Sequence, residues 1–362
     1  MRIDFIIYII IFCLALILVQ PAFSDYILMC TFFTNPVAKI FKLSDEGDIS
    51  FLYSLEVGGN PESLVFSPNG HWGLIGSNTT SYPPTQKTII LGATQEREIY
   101  YLGYAHCENQ NFVTISPNSK YGLFGWNLQT IIFNLKDNSF NVIPTNNPPL
   151  SLCASFSSLN NRILAIKYNK TVEEFVMLDD KTTTSTGFTV DISPSKGRWI
   201  YITPDGKTGI VLNPDKYQIT TLRMHPEGGF HIVQQFDTKS GNPDQLEITD
   251  DGKFAIIVYY SNDVGKGMKS FSIGDDSCLT EVDGIDTPEG AGEDMAVTPD
   301  GKFAVTRTLN ANGTSTFNVV RIYPDGKLQY LPEKDFTTTG HVSAMDFLPP
   351  YQPYPENSFV LY

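Results

Sequence analysis

Along most of the chain, short hydrophobic runs alternate with polar residues at a period of two, and clusters of Pro, Gly, Asn and Asp separate the runs. That pattern predicts β-strands joined by turns, with minimal helix. One unit recurs. FSPNGHWGLIG (66–76), ISPNSKYGLFG (115–125), FSSLNNRILAI (156–166), ITPDGKTGIVL (202–212), ITDDGKFAIIV (248–258) and VTPDGKFAVTR (297–307) align, and MDFLPP (345–350) is a degraded seventh copy. Anchored on the first residue of each, and on Phe347 in the last, the spacings are 49, 41, 46, 46, 49 and 50. Strand-rich repeats of that length are propeller blades.

Each copy has a physical reading. An apolar strand ends in Phe, Ile or Val, and Ser/Thr-Pro-Asp-Gly or its Asn variant then reverses the chain. Pro pre-sets φ for the turn and Gly accepts a positive φ. Asn160 takes the Gly position in the third unit and Ser119 takes it in the second. A second apolar run follows at once, such as Phe254-Ala255-Ile256-Ile257-Val258, and reads as a strand buried on both faces. Two more alternating runs complete each unit. The expectation is an all-β, seven-bladed propeller of four-stranded antiparallel blades, one domain over 25–362. The seventh inner strand falls near the C-terminus and three strands precede the first repeat. N- and C-terminal strands therefore share one blade and close the ring, which leaves no open sheet edge.

Gly59-Asn60-Pro61 through Ser67-Pro68-Asn69-Gly70, and Gly241-Asn242-Pro243 through Asp251-Gly252-Lys253, resemble the YVTN-repeat, lactonase-like family of seven-bladed propellers. The likeness extends over 25–362. It implies the architecture and, as one option, a lactonase-like hydrolase. No Trp-Asp dipeptide is present, which disfavours a WD-repeat protein.

Charge and targeting narrow the setting. With 25 Lys+Arg against 39 Asp+Glu, the net charge of −14 disfavours nucleic acid and anionic membrane surfaces as partners. Residues 1–24 place Arg2 before an apolar run from Phe5 to Val19 and end in Ala22-Phe23-Ser24. They read as a secretory signal peptide cleaved before Asp25. No later run is long enough to span a bilayer, so a secreted or periplasmic monomer is expected. The four cysteines left after cleavage, Cys30, Cys107, Cys153 and Cys278, read either as buried free thiols or as disulfides with three possible connectivities. Cys107, before the inner strand of blade two, with Cys153, in that of blade three, is the candidate bridge. Asn78-Thr79-Thr80, Asn169-Lys170-Thr171 and Asn312-Gly313-Thr314 are glycosylation sequons, meaningful in a eukaryotic secretory pathway.

Local catalytic motifs are absent: the chain has no GxSxG, HExxH, Walker loop or EF-hand loop. A propeller instead gathers its site from equivalent positions of many blades. Four residues before each anchor stand Glu62, Asn111, Leu152, Arg198, Asp244, Glu293 and Ser343, and His341 stands two residues before Ser343. Glu62, Asn111, Arg198, Asp244, Glu293 and His341 are the ligand-binding candidates at the channel mouth. Grouped oxygen donors demand a proton or a cation, and Glu62, Asn111, Asp244 and Glu293 suit a divalent ion such as calcium; no other cofactor is indicated. The alternative is a solvated polar lining; Tyr259, Tyr260, Trp72, Trp126 and Trp199 could stack a sugar, but blade packing explains them more simply. Two functions follow: binding of a protein, glycan or small molecule at one face of the ring, or hydrolysis by a channel metal or by carboxylate, Arg198 and His341 as acid–base groups.

Overall fold

The computed structural model describes residues 25–352, apart from 33–34, 79–86, 107–111, 126–127, 135–136, 144–150, 160, 195, 239–240, 261–266 and 289–290, and apart from the side chains of 35, 78 and 291–293. The expected signal peptide with its expected cleavage point, Cys107, Asn111 and residues 353–362 therefore lie outside the described residues. No described helix is long and apolar enough to cross a membrane.

Seven antiparallel sheets form the ring. The inner strands of blades one to six are Asn60–Phe66, Val113–Ile115, Ser151–Phe156, Trp199–Ile202, Asn242–Ile248 and Ala291–Val297, each followed outward by the next three strands in sequence. Among the described residues, blade six alone splits its outer strand, into Leu328–Tyr330 and Phe336–Thr339. Blade seven is composite: inner strand Val342–Leu348 pairs with Asp25–Phe32, and Asn35–Ser44 and Ile49–Glu56 lie outside it. The closure expected from the sequence is the closure observed. Second strands are buried almost throughout, as in Thr208–Asn213 and Phe303–Leu309. The core divides into clusters at the seams between neighbouring sheets; Phe41 and Leu28 of blade seven, for example, meet Phe303 and Phe317 of blade six.

The repeated turn has one local logic. In blade four the Thr203 hydroxyl donates to Asp205 Oδ1 at 2.7 Å and accepts the Thr208 N–H at 3.0 Å, while the Gly206 N–H donates to the Thr203 carbonyl at 2.7 Å. Thr249 and Thr298 repeat the arrangement with Asp251 and Asp300. The hydroxyl thus occupies backbone groups that a tight reversal would leave unpaired. Ser119 adopts φ +59, as its place in the repeat demands. In blade three Asn160 lies outside the described residues, and the residue at positive φ is its neighbour Asn161, at +54.

Both chain ends are tied to blade one. Buried Arg97 donates from Nη1 to the Asp25 carbonyl at 2.9 Å and from Nη2 to the Leu348 carbonyl at 2.7 Å. Beyond the last strand, the Gln352 N–H donates to the Asn69 carbonyl at 3.0 Å, and Nε2 of His71 hydrogen-bonds the Gln352 carbonyl at 2.7 Å. Gly70, at φ +71, is required there: a Cβ would stand 2.5 Å from the Pro349 carbonyl oxygen.

Candidate functional site

The inner strands enclose a channel cavity of about 960 Å³. Glu62, Arg198 and Asp244 line it, as does Lys196. Arg198 Nη1 lies 3.2 Å from Asp244 Oδ1, and its guanidinium sits 5.3 Å from the Trp199 ring centre. This pair marks the mouth, where Arg198 is exposed and Asp244 is half-buried. His341 precedes the inner strand of blade seven and is not among the lining residues. Glu293 belongs to the inner strand of blade six, with its side chain outside the described residues; Asn111 lies wholly outside them. Cys153 is a buried free thiol on the lining, and the pairing expected for it falls on undescribed Cys107.

The repeat position chosen from sequence has a structural identity. Register shifts make Glu62, Leu152, Asp244 and Ser343 each the extra residue of a β-bulge in an inner strand. A bulge bends its strand and re-aims a side chain. That is how residues outside the strand alternation reach the mouth.

The deeper lining carries chemistry that the sequence reading missed. Glu247, Asp294 and Asp346 face the cavity from blades five, six and seven. Burial pushes Asp294 up to about 8, with Asp244 and Asp346 adding to the rise and Arg307 and the Met295 N–H opposing it. Burial raises Asp346 to about 7, even though it accepts the Phe66 and Phe347 N–H groups at 2.7 and 2.8 Å. Glu247 is pushed well above the carboxylate range by burial, then by Asp346, Asp294 and Asp250. Asp294 is 6% exposed and its Oδ2 has no hydrogen-bond partner among the described residues; the same holds for Ser63 Oγ and Trp199 Nε1, which also line the cavity. Buried polar atoms left so need a water or a ligand. One signal could have found two of them: Glu247 and Asp346 each stand one residue before the apolar anchor of their repeat. Among the described residues no three His, Cys, Asp or Glu side chains are grouped to hold a metal ion.

The fold has solved counterparts. A provisionally assigned 6-phosphogluconolactonase of Bacteroides uniformis superposes with a TM-score of 0.74 at 17% identity, covering 90% of this chain and 99% of that one. The corresponding Bacteroides fragilis protein gives 0.73 at 16%, over 91% and 99%. The periplasmic gluconolactonase PpgL of Pseudomonas aeruginosa gives 0.69 at 14%, over 90% and 99%. No family model and no curated protein matches the chain. The class defined is a seven-bladed β-propeller with lactonase-like structural neighbours.

Proposed function

We propose that this is an exported propeller whose channel binds a small, uncharged, hydroxyl-rich molecule of the sugar-lactone class. The observation that carries the reading is Asp294, a buried carboxyl raised to about 8 with one oxygen unpaired on the cavity wall. A carboxyl kept neutral at pH 7 both donates and accepts, as hydroxyl-rich ligands require. Charge supports the same class. With Glu247, Asp294 and Asp346 held toward the neutral form, the lining sets Glu62, Asp215 and Asp244 against Lys196, Arg198 and Arg307. That balance offers a phosphate dianion little and an uncharged ring more. The lactonase names of the structural neighbours agree with a lactone; two of them name a phosphorylated one, which the balanced charge of this lining favours less.

A second reading rests on the same carboxyl. As an anion Asp294 can take a proton from water attacking a lactone carbonyl, and as an acid it can return one to the ring oxygen when the acyl C–O bond breaks.

Calorimetric titration with D-glucono-1,5-lactam, which does not open, tests the binding. The wild type is expected to bind it, and Asp294→Asn to bind at least tenfold more weakly, about 1.4 kcal/mol. No heat with the wild type overturns the proposal. Acid release from the lactone above the spontaneous rate, lost in Asp294→Asn, adds the hydrolytic reading; binding without it leaves a receptor.

A further inference from the structure

All three sequons of the chain fall on one kind of connection. A propeller blade has four: inner to second strand, second to third, third to outer, and outer to the next inner. Asn169-Lys170-Thr171 bridges the second and third strands of blade three, Arg162–Lys167 and Thr171–Met177. Asn312-Gly313-Thr314 bridges the second and third strands of blade six, Phe303–Leu309 and Thr314–Ile322. The third begins at Asn78, the last residue of the second strand of blade one, Trp72–Asn78, and its threonines lie outside the described residues.

The strand register fixes which face carries these turns. Lys167 pairs with Ser151, and Thr308 with Ala291, so each second strand ends beside the start of its inner strand. Those starts form the mouth of the channel, where Arg198 meets Asp244. The Pro-Asp-Gly turns lie at the opposite end. Asn169 and Asn312 are both exposed. In each, the Thr hydroxyl donates to the Asn Oδ1 at 2.7 Å, and Nδ2 makes no hydrogen bond among the described residues.

We propose that Asn169 and Asn312 are N-glycosylation sites and that their glycans flank the channel mouth. The reaction joins Nδ2 to the anomeric carbon of an oligosaccharyl polyprenyl diphosphate. An N–C bond forms, the C–O bond to the diphosphate breaks with its electron pair leaving on the diphosphate, and the amide nitrogen loses one proton. Glycans placed there screen the mouth face from broad protein surfaces while a small molecule still passes between them into the channel. The sites stand independently of what the channel binds.

The test is secretion of the full chain from eukaryotic cells, once behind its own leader and once behind the host's, followed by peptide N-glycosidase digestion in heavy-oxygen water. Each glycosylated Asn is converted to a labelled Asp. Label at 169 and 312 is expected, with Asn169→Gln and Asn312→Gln each removing one mobility step, Thr171→Ala abolishing its site and Thr171→Ser retaining it. Melting temperatures should be unchanged in the unglycosylated variants, because both side chains are exposed. Unlabelled peptides at both positions in protein secreted behind either leader overturn the proposal. If only the host's leader secretes the chain, the sites are judged in that arm, and retention behind its own leader refutes export by the native route.

Discussion

Ending the chain at His341 is expected to abolish the cooperative fold. The deletion removes the inner strand Val342–Leu348, which pairs with Asp25–Phe32 along most of its length. Val342, Met345, Phe347 and Leu348 are all buried, between 0% and 4% exposed. At roughly 1.5–3 kcal/mol for each large apolar side chain, their burial contributes on the order of 10 kcal/mol. That is comparable with the entire stability of a typical domain, about 5–15 kcal/mol. Losses on the other side of the seam add to it. Arg97 loses the Leu348 carbonyl, the Phe66 N–H loses the Asp346 carboxylate, and Leu28, Met29 and Cys30 lose their cover. Urea titration followed by circular dichroism checks this. No cooperative transition is expected from the truncated chain, and one within about 1 kcal/mol of wild type would contradict closure by this strand.

Asp294→Asn is expected to stabilise the protein at pH 8 and to flatten its pH dependence. Folded Asp294 binds its proton up to about 8 against an ordinary 3.8, and Asp346 up to about 7. Between those limits the folded state holds more protons than the unfolded chain, so stability is fullest near the lower limit and falls as pH rises. Below about pH 4 the sense reverses, because Asp180 and Asp325, lowered by hydrogen bonds from Thr182 and Lys327, must be protonated. For Asp294 the rise corresponds to on the order of 5 kcal/mol. An amide left partly unpaired at the same place offsets about 1–3 kcal/mol of that. Denaturant midpoints from pH 5 to 8.5 are the measurement. Wild type should lose several kcal/mol across that range and the variant measurably less, its remaining slope coming from Asp346 and Glu247; parallel curves would contradict a neutral Asp294.

The architecture was legible because blade turns are local. Thr-Pro-Asp-Gly carries its hydrogen bonds within six residues, and Phe254–Tyr260 shows its double-sided burial in composition alone. The site was legible only in part. Glu62, Arg198 and Asp244 were found because they share a repeat position, which proved to be a bulge. Glu247, Asp294 and Asp346 were missed because Asp294 stands three residues before its anchor while the other two stand one before theirs, and only the packing of successive blades brings them to one cavity. Their raised pKa values arise from burial and from nearby carboxyls, Asp244 and Asp250 among them, neither of which a linear pattern displays. His341 sits near the mouth in sequence order, yet it precedes the inner strand and is not among the residues lining the cavity.

The central claim is that the channel wall holds a carboxylic acid in its neutral form at physiological pH. Carbon-13 titration of carboxyl-labelled aspartates measures this directly, with the Asp294 resonance identified by its absence from Asp294→Asn. The account predicts a titration midpoint near 8 for that resonance, shifted when the lactam is added. Midpoints below about 5 for every aspartate would contradict it.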